Sequence, residues 1–240
     1  MSKKTIIIGV LAVLFIAGIA VIAKAIERIP AQATDHSPVL EKIIFIHYRK
    51  GFGKALGKPV KAAKCYGFLA PGVKIKSVKE LTINSNVDAP TIWTAASEWG
   101  SHTSKTLFSG YTSDSTANWD SDKPDGRNEF SFGNYPEPGV IAVTVVWGYF
   151  SGPPQTREIK EFDVLFDTDF NPWGNADSGQ KVMDLQNIAT HEIGHGVGLD
   201  DIYDAVCNQV TMYGYSDYGE IIKRTLEQPD ITGLQKLYGI

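Results

Sequence analysis

No charge interrupts residues 5–23, TIIIGVLAVLFIAGIAVIA. As a helix this run reaches about 28 Å, close to the hydrocarbon thickness of a bilayer. It has no polar face of the kind a surface helix turns to water. The pattern predicts an apolar N-terminal helix, with residues 1–33 acting as a signal peptide or a membrane anchor with its tether. Ala23-Lys24-Ala25 and Ala31-Gln32-Ala33 suit a signal peptidase, whereas the length of the run suits retention, so both outcomes stay open. Either way the rest of the chain is expected to be extracellular, secreted or anchored to the membrane.

Residues 34–72 read as an N-terminal extension of unknown role. Within them KIIFIHYRK has the apolar content of a strand, while KGFGKALGKPVKAAK is basic and rich in glycine and follows no period.

From Val73 the chain becomes periodic. KELTINSN sets Leu81 and Ile83 on one side, as a half-buried strand does. Asp88 and Pro90 open a helix that places Ile92, Ala95, Ala96 and Trp99 on one face. GVIAVTVVWGYF is continuously apolar and β-branched and predicts a strand covered on both faces. In REIKEFDVLFDTDF, Phe162, Val164 and Phe166 alternate with Glu161, Asp163 and Asp167, which predicts a strand with one wet face. Its order in the chain suggests the exposed edge on which an extended substrate would add.

Leu185, Ala189, Ile193 and Val197 then recur every fourth residue, the stripe of a helix packed on a sheet. A last helix runs through QPDITGLQKLYG, with Pro229 at its start and Gly239 as its stop. Together these elements predict one α+β domain over residues 73–240, a mixed twisted sheet with two helices after it.

The bulk numbers fit that picture. At 240 residues, 43% hydrophobic and 21% charged, the chain is an ordinary folded protein with one sizeable core. Its net charge of −4 argues against nucleic acid as partner. Cys65 and Cys207, two cysteines in a chain expected outside the cell, are candidates for one disulfide.

The chemistry lies in HEIGHGVGLDD, residues 191–201. His191 and His195 are four apart, so on a helix both imidazoles aim at one point, where a divalent metal fits. Glu192 is turned by about 100 degrees and is placed to act as general base rather than ligand. Gly198 is suited to a left-handed turn that swings Asp200 and Asp201 back toward the metal, and either acid is a candidate third ligand.

His191, Glu192, His195 and Gly198 resemble H-E-x-x-H-x-x-G-x-x-H, the zinc signature of the metzincins, with Asp201 at the position of the third histidine. The resemblance implies a metzincin-like zincin fold, a zinc-dependent endopeptidase acting on protein or peptide substrates, His191, His195 and Asp201 as ligands of one catalytic zinc, and Glu192 as base. VTMYGY supplies Met212 where metzincins place a structural methionine turn. Tyr213 or Tyr215 is a candidate for oxyanion or substrate contact. The ending LEQPDITGLQKLYG is similar to the last helix of the matrixins, in which the acid at Asp230 supports that turn; Pro229 stands where a second acid is common. The histidines of the second, structural zinc are missing, and Cys65 in AAKCYGF does not match the matrixin latency motif.

DSDKPDG offers Asp120, Asp122 and Asp125 as a calcium candidate, the alternative being a solvated turn. Two rival functions stay open: a cell-surface binding module stabilised by zinc without turnover, and a protease restricted to itself or one partner.

Overall fold

The computed structural model describes residues 27–28, 39–53, 64–177 and 180–240. The expected apolar helix at residues 5–23 lies outside them. Among the described residues no helix is long and apolar enough to cross a membrane.

The main sheet contains β1 (Glu41–Arg49), β2 (Lys79–Ile83), β3 (Phe108–Ser113), β4 (Asn128–Gly133), β5 (Val140–Tyr149) and β6 (Glu158–Asp167). In space they follow the order β1-β5-β6-β4-β2-β3. Strands β3, β2, β4 and β6 are mutually parallel, β5 runs antiparallel to β6, and β1 runs antiparallel to β5. The sheet is therefore mixed. The far side of β1 carries Tyr215–Ser216 in parallel beside Tyr48 and Arg49, and Glu27–Arg28 in antiparallel pairing beside Glu41 and Lys42. Thus KIIFIHYRK, in the segment read as an extension, is a strand of the same sheet as the rest of the domain.

Among the described residues three α-helices accompany the sheet: α1 (Ala89–Ser101), α2 (Leu185–Gly196) and α3 (Gln228–Tyr238). Ile92, Ala95, Ala96 and Trp99 of α1 are buried, as their spacing predicts. The Trp99 indole donates to the Thr190 carbonyl at 2.8 Å, tying α1 to the middle of α2. At the start of α2 the Asp184 carboxylate accepts from the Asn187 backbone N–H at 2.8 Å, and the Leu185, Ala189, Ile193 and Val197 stripe is buried. Cys65 and Cys207 are joined by a disulfide.

Two expectations for residues 158–167 are overturned. The face carrying Glu161, Asp163 and Asp167 is not wet: all three are at most 1% exposed. Backbone donors take the place of water. Glu161 accepts from Asp125 and Gly126 N–H, Asp163 from Glu129 N–H and Asp167 from Asp169 N–H. Alternation reports which side chains need polar partners, and here the chain itself supplies them. Nor is this strand an edge, since β6 lies between β4 and β5. Strand β5 in turn lies between β6 and β1 and is buried along almost its whole length, as its continuously apolar run predicts.

Candidate metal centre

Helix α2 puts His191 and His195 on one side, with their rings 5.0 Å apart. The helix stops at once afterwards. Val197 is the cap, and Gly198 has φ +107°, a conformation that strains any residue with a side chain. A Cβ there would also lie 2.8 Å from the Val73 carbonyl. From this turn Leu199–Asp200 pairs with Gly67–Phe68, and Asp201 swings over the helix. Its Oδ1 lies 3.2 Å from His191 Nε2 and 3.5 Å from His195 Nε2. Asp200 faces elsewhere, with its Oδ1 accepting the Asp201 N–H and its Cβ beside Gly67.

The other ring nitrogens fix the protons. His191 Nδ1 is 2.7 Å from the Thr211 carbonyl, and His195 Nδ1 is 2.9 Å from the Leu199 carbonyl. A carbonyl only accepts, so each Nδ1 carries its hydrogen and each neutral ring turns the lone pair of Nε2 toward Asp201. His191 Nε2, His195 Nε2 and Asp201 Oδ1 are all buried without a hydrogen-bond partner. Three convergent atoms of electron-donating character, left unpaired in an interior where such groups are costly, fit a divalent cation. Burial lowers the His191 pKa to about 4, favouring the neutral form a metal needs. Burial opposes ionisation of Asp201, but positive charge on the adjacent His195, followed by hydrogen bonds from His191 and His195, outweighs it and holds the carboxyl well below the usual range; a cation bound by the neutral rings would supply that positive charge instead. The Tyr203 hydroxyl donates to Asp201 Oδ2 at 2.9 Å, leaving Oδ1 for the centre.

Met212 packs beneath. A Cβ on Gly194 would stand 2.2 Å from its sulfur, so the glycine lets helix and methionine meet. Asp230 holds this turn, its carboxylate accepting the N–H groups of Thr211 at 2.9 Å and Met212 at 3.2 Å. The same side chain accepts the Glu227 N–H and so also caps α3.

Glu192 sits beside the centre and is wholly buried. Its Oε2 accepts from the Thr144 hydroxyl at 2.6 Å, and its Oε1 lies 2.9 Å from His47 Nδ1. Burial raises its pKa to about 7. His47 Nε2 faces the Ser216 hydroxyl at 3.1 Å and the Lys223 ammonium at 3.4 Å. Lys223 only donates, so Nε2 accepts and Nδ1 donates to Glu192. Lys223 is itself buried and also donates to the Tyr215 carbonyl at 2.8 Å and to the Tyr213 carbonyl. Burial lowers its pKa to about 8. His47, His191 and Glu192 also offer atoms within 4.8 Å of one another. Both nitrogens of His47 and both oxygens of Glu192 already have partners, whereas the donor atoms of His191, His195 and Asp201 do not.

His47, Thr144, Tyr203 and Lys223 were missed in the sequence, because each reaches the site from another element. One signal was present: His47 follows Ile43 and Phe45 at every second position, on the inward face of a strand. Tyr213 and Tyr215 enter the site through their backbone carbonyls, while their rings pack 5.8 Å apart. Of the calcium candidates, Asp120 and Asp125 gather with Glu129, and Asp122 does not. The Arg127 guanidinium stands 2.9 Å from Glu129 and supplies a positive charge to that group.

A family model described as Matrixin matches residues 91–239. Matrix metalloproteinase-16 of Rattus norvegicus, Homo sapiens and Mus musculus is 32% identical over 91 residues, which make up 38% of this chain. The chain spans only 14% of the length of those relatives.

Proposed function

This chain belongs to the matrixin family, and from that premise we propose that it is an extracellular zinc-dependent endopeptidase that hydrolyses peptide bonds. The observation that carries the proposal is the convergence of His191 Nε2, His195 Nε2 and Asp201 Oδ1, buried and unpaired, beside a buried glutamate. His191, His195 and Asp201 would hold one zinc ion. Zinc bound there supplies a Lewis acid that polarises a peptide carbonyl and makes water acidic enough to attack near neutral pH.

The chain's own groups do the rest. Glu192, with a pKa raised to about 7 by burial, is suited to accept a proton from the attacking water and return it to the leaving amine. Thr144 holds one of its oxygens in place. The Thr211 and Leu199 carbonyls orient the two imidazoles, and Tyr203 orients Asp201. Met212 and Gly194 form a close-packed floor that resists tilting of the helix. The Cys65–Cys207 disulfide suits an oxidising compartment and supports an extracellular location.

The test is Glu192→Gln. Zinc content should stay at one ion per chain while cleavage of a denatured protein falls by about 10²–10⁴, the usual worth of a general base. Because His47 covers Glu192, both proteins are assayed intact and after cleavage between residues 54 and 63. Equal cleavage by the variant would remove the enzymatic reading. A chain that holds zinc yet cleaves nothing in either form would point to a binding module.

A further inference from the structure

Two cavities, of about 420 Å³ and 330 Å³, meet along residues 105–107. The larger is walled by residues 74–78, which lead into β2, and by Tyr238 at the end of α3; the smaller lies along α1. Their charge is one-sided. Lys74, Lys76 and Lys105 line the larger cavity and no acidic residue lines either, although the chain carries 27 Asp and Glu against 23 Lys and Arg. Nor are these lysines neutralised where they stand. Lys74 donates to the Leu237 carbonyl and Lys76 to the Gln155 carbonyl at 2.7 Å, neutral acceptors that each occupy one of an ammonium's three N–H groups and leave its charge uncompensated. The Lys105 ammonium has no partner among the described residues. Lys50 and Lys160, by contrast, are held by the carboxylates of Glu220 and Glu158.

The back wall is fixed. The Tyr238 hydroxyl accepts the Ile75 N–H at 2.8 Å and donates to the Val197 carbonyl at 2.9 Å, which ties the segment before β2 to α3 and to the cap of α2. The concave shape and its positive charges are therefore in place before a ligand arrives. The smaller cavity offers a different chemistry. Trp93 of α1, its ring 6.0 Å from that of Tyr111, lines it with the hydroxyl-bearing Ser97 and Thr106. A flat apolar ring suits the C–H face of a sugar, and hydroxyls that both donate and accept suit its hydroxyl groups.

We propose that the paired cavities are a binding site for an anionic saccharide, whose sulfate or carboxylate group sits among Lys74, Lys76 and Lys105 and whose sugar rings cross residues 105–107 toward Trp93. An acidic peptide would satisfy the lysines but leave the aromatic wall and its hydroxyls without a role, and a flat lipid surface would not enter a concavity. None of these residues belongs to the metal centre, so the site stands whether or not the chain cleaves peptides.

The test is titration calorimetry of the full chain with five ligands: a sulfated glycosaminoglycan tetrasaccharide, an unsulfated tetrasaccharide carrying uronic acids, a neutral tetrasaccharide, inorganic sulfate and a hexaglutamate peptide. One or both anionic tetrasaccharides should bind, the tighter identifying the anionic group, and binding should weaken as salt rises. Lys76→Gln and Lys105→Gln, both at exposed positions, should each weaken it by about fivefold, the upper figure for an exposed ion pair. Trp93→Leu should weaken it by about threefold or more, the worth of an aromatic contact beyond its buried area, and Lys123→Gln, the same loss of charge outside the cavities, should leave it unchanged. Absence of binding by both anionic tetrasaccharides, equal binding of the neutral one, or an equal loss in Lys123→Gln would each overturn the proposal. Hexaglutamate or inorganic sulfate binding as tightly as the saccharides would overturn it too, the first by making the site one for acidic peptides and the second by reducing it to a site for a small anion.

Discussion

Tyr203→Phe isolates the part of the site that orients Asp201, the acid proposed as the third zinc ligand. The substitution keeps the ring and removes only the hydroxyl that donates to Asp201 Oδ2 at 2.9 Å. Burial first, and the Asp201 charge second, raise the Tyr203 pKa, so the hydroxyl remains a donor throughout the working range. A hydrogen bond to a charged group contributes about 1.5–3 kcal/mol. The bond exists before metal arrives, so its loss should destabilise the metal-free chain by about that amount. Only the share spent on holding Oδ1 toward the two imidazoles passes into affinity, and loss of such an outer partner weakens metal binding by about 10- to 100-fold. With the acid already confined by its neighbours, the lower end, about tenfold or ~1.4 kcal/mol, is expected. Competition with a chelator of known affinity, brought to equilibrium, gives the zinc Kd, and denaturant melts of the metal-free protein give the stability. Tyr213→Phe takes a hydroxyl from a nearby ring and leaves the Tyr203 bond, so it should change neither quantity. Zinc affinity within about twofold of the parent in Tyr203→Phe, far below the usual cost of losing such a partner, would refute the assigned orientation of Asp201.

Gly198→Ala should lower stability by at least about 1–3 kcal/mol, the cost of a residue forced into a disfavoured backbone region, and should weaken zinc binding as well, because the same turn delivers Asp201; a thermal melt with chelator competition checks both. Asp163, wholly buried, has its pKa raised to about 9 by burial. Folding therefore favours its protonated form, and the stability this contributes is complete below the unfolded value near 4 and is lost as pH rises toward 9. Asp163→Asn should accordingly match the parent at pH 4 and exceed it by about 1–3 kcal/mol at pH 8, and melts across that range that stay parallel would contradict it. Replacing both cysteines with serine opens a loop of 142 residues in sequence separation and should cost up to about 4–5 kcal/mol in the chain-entropy estimate, read from denaturant unfolding.

What could be read in advance follows the range of the interactions concerned. The helix stripe from Leu185 to Val197, the ligand spacing of His191 and His195 and the turn at Gly198 are all set within a dozen residues, and they appear where periodicity and glycine chemistry place them. The third acid needed the turn geometry to separate Asp201 from Asp200, because both follow Gly198 closely and only the strand pairing of Leu199–Asp200 with Gly67–Phe68 decides which swings inward. The wet face expected for residues 158–167 failed because an alternating pattern cannot tell water from the backbone N–H groups of Asp125, Gly126 and Glu129.

Strand order was hidden for a related reason. The alternating run of β6 suggests an edge, yet β6 lies between β4 and β5; the continuous apolar run of β5 suggests an interior strand, and β5 lies between β6 and β1. Its apolar character becomes intelligible only with β1 beside it: a strand covered by the chain's own N-terminal segment need not carry the charges with which exposed edges avoid association. The polar interruption at Thr144 serves the site, since its hydroxyl donates to Glu192 at 2.6 Å. Thr144 of β5 and His47 of β1 thus reach Glu192 from neighbouring strands, so the pairing of β1 with β5 and the buried carboxylate fall at the same place in the fold.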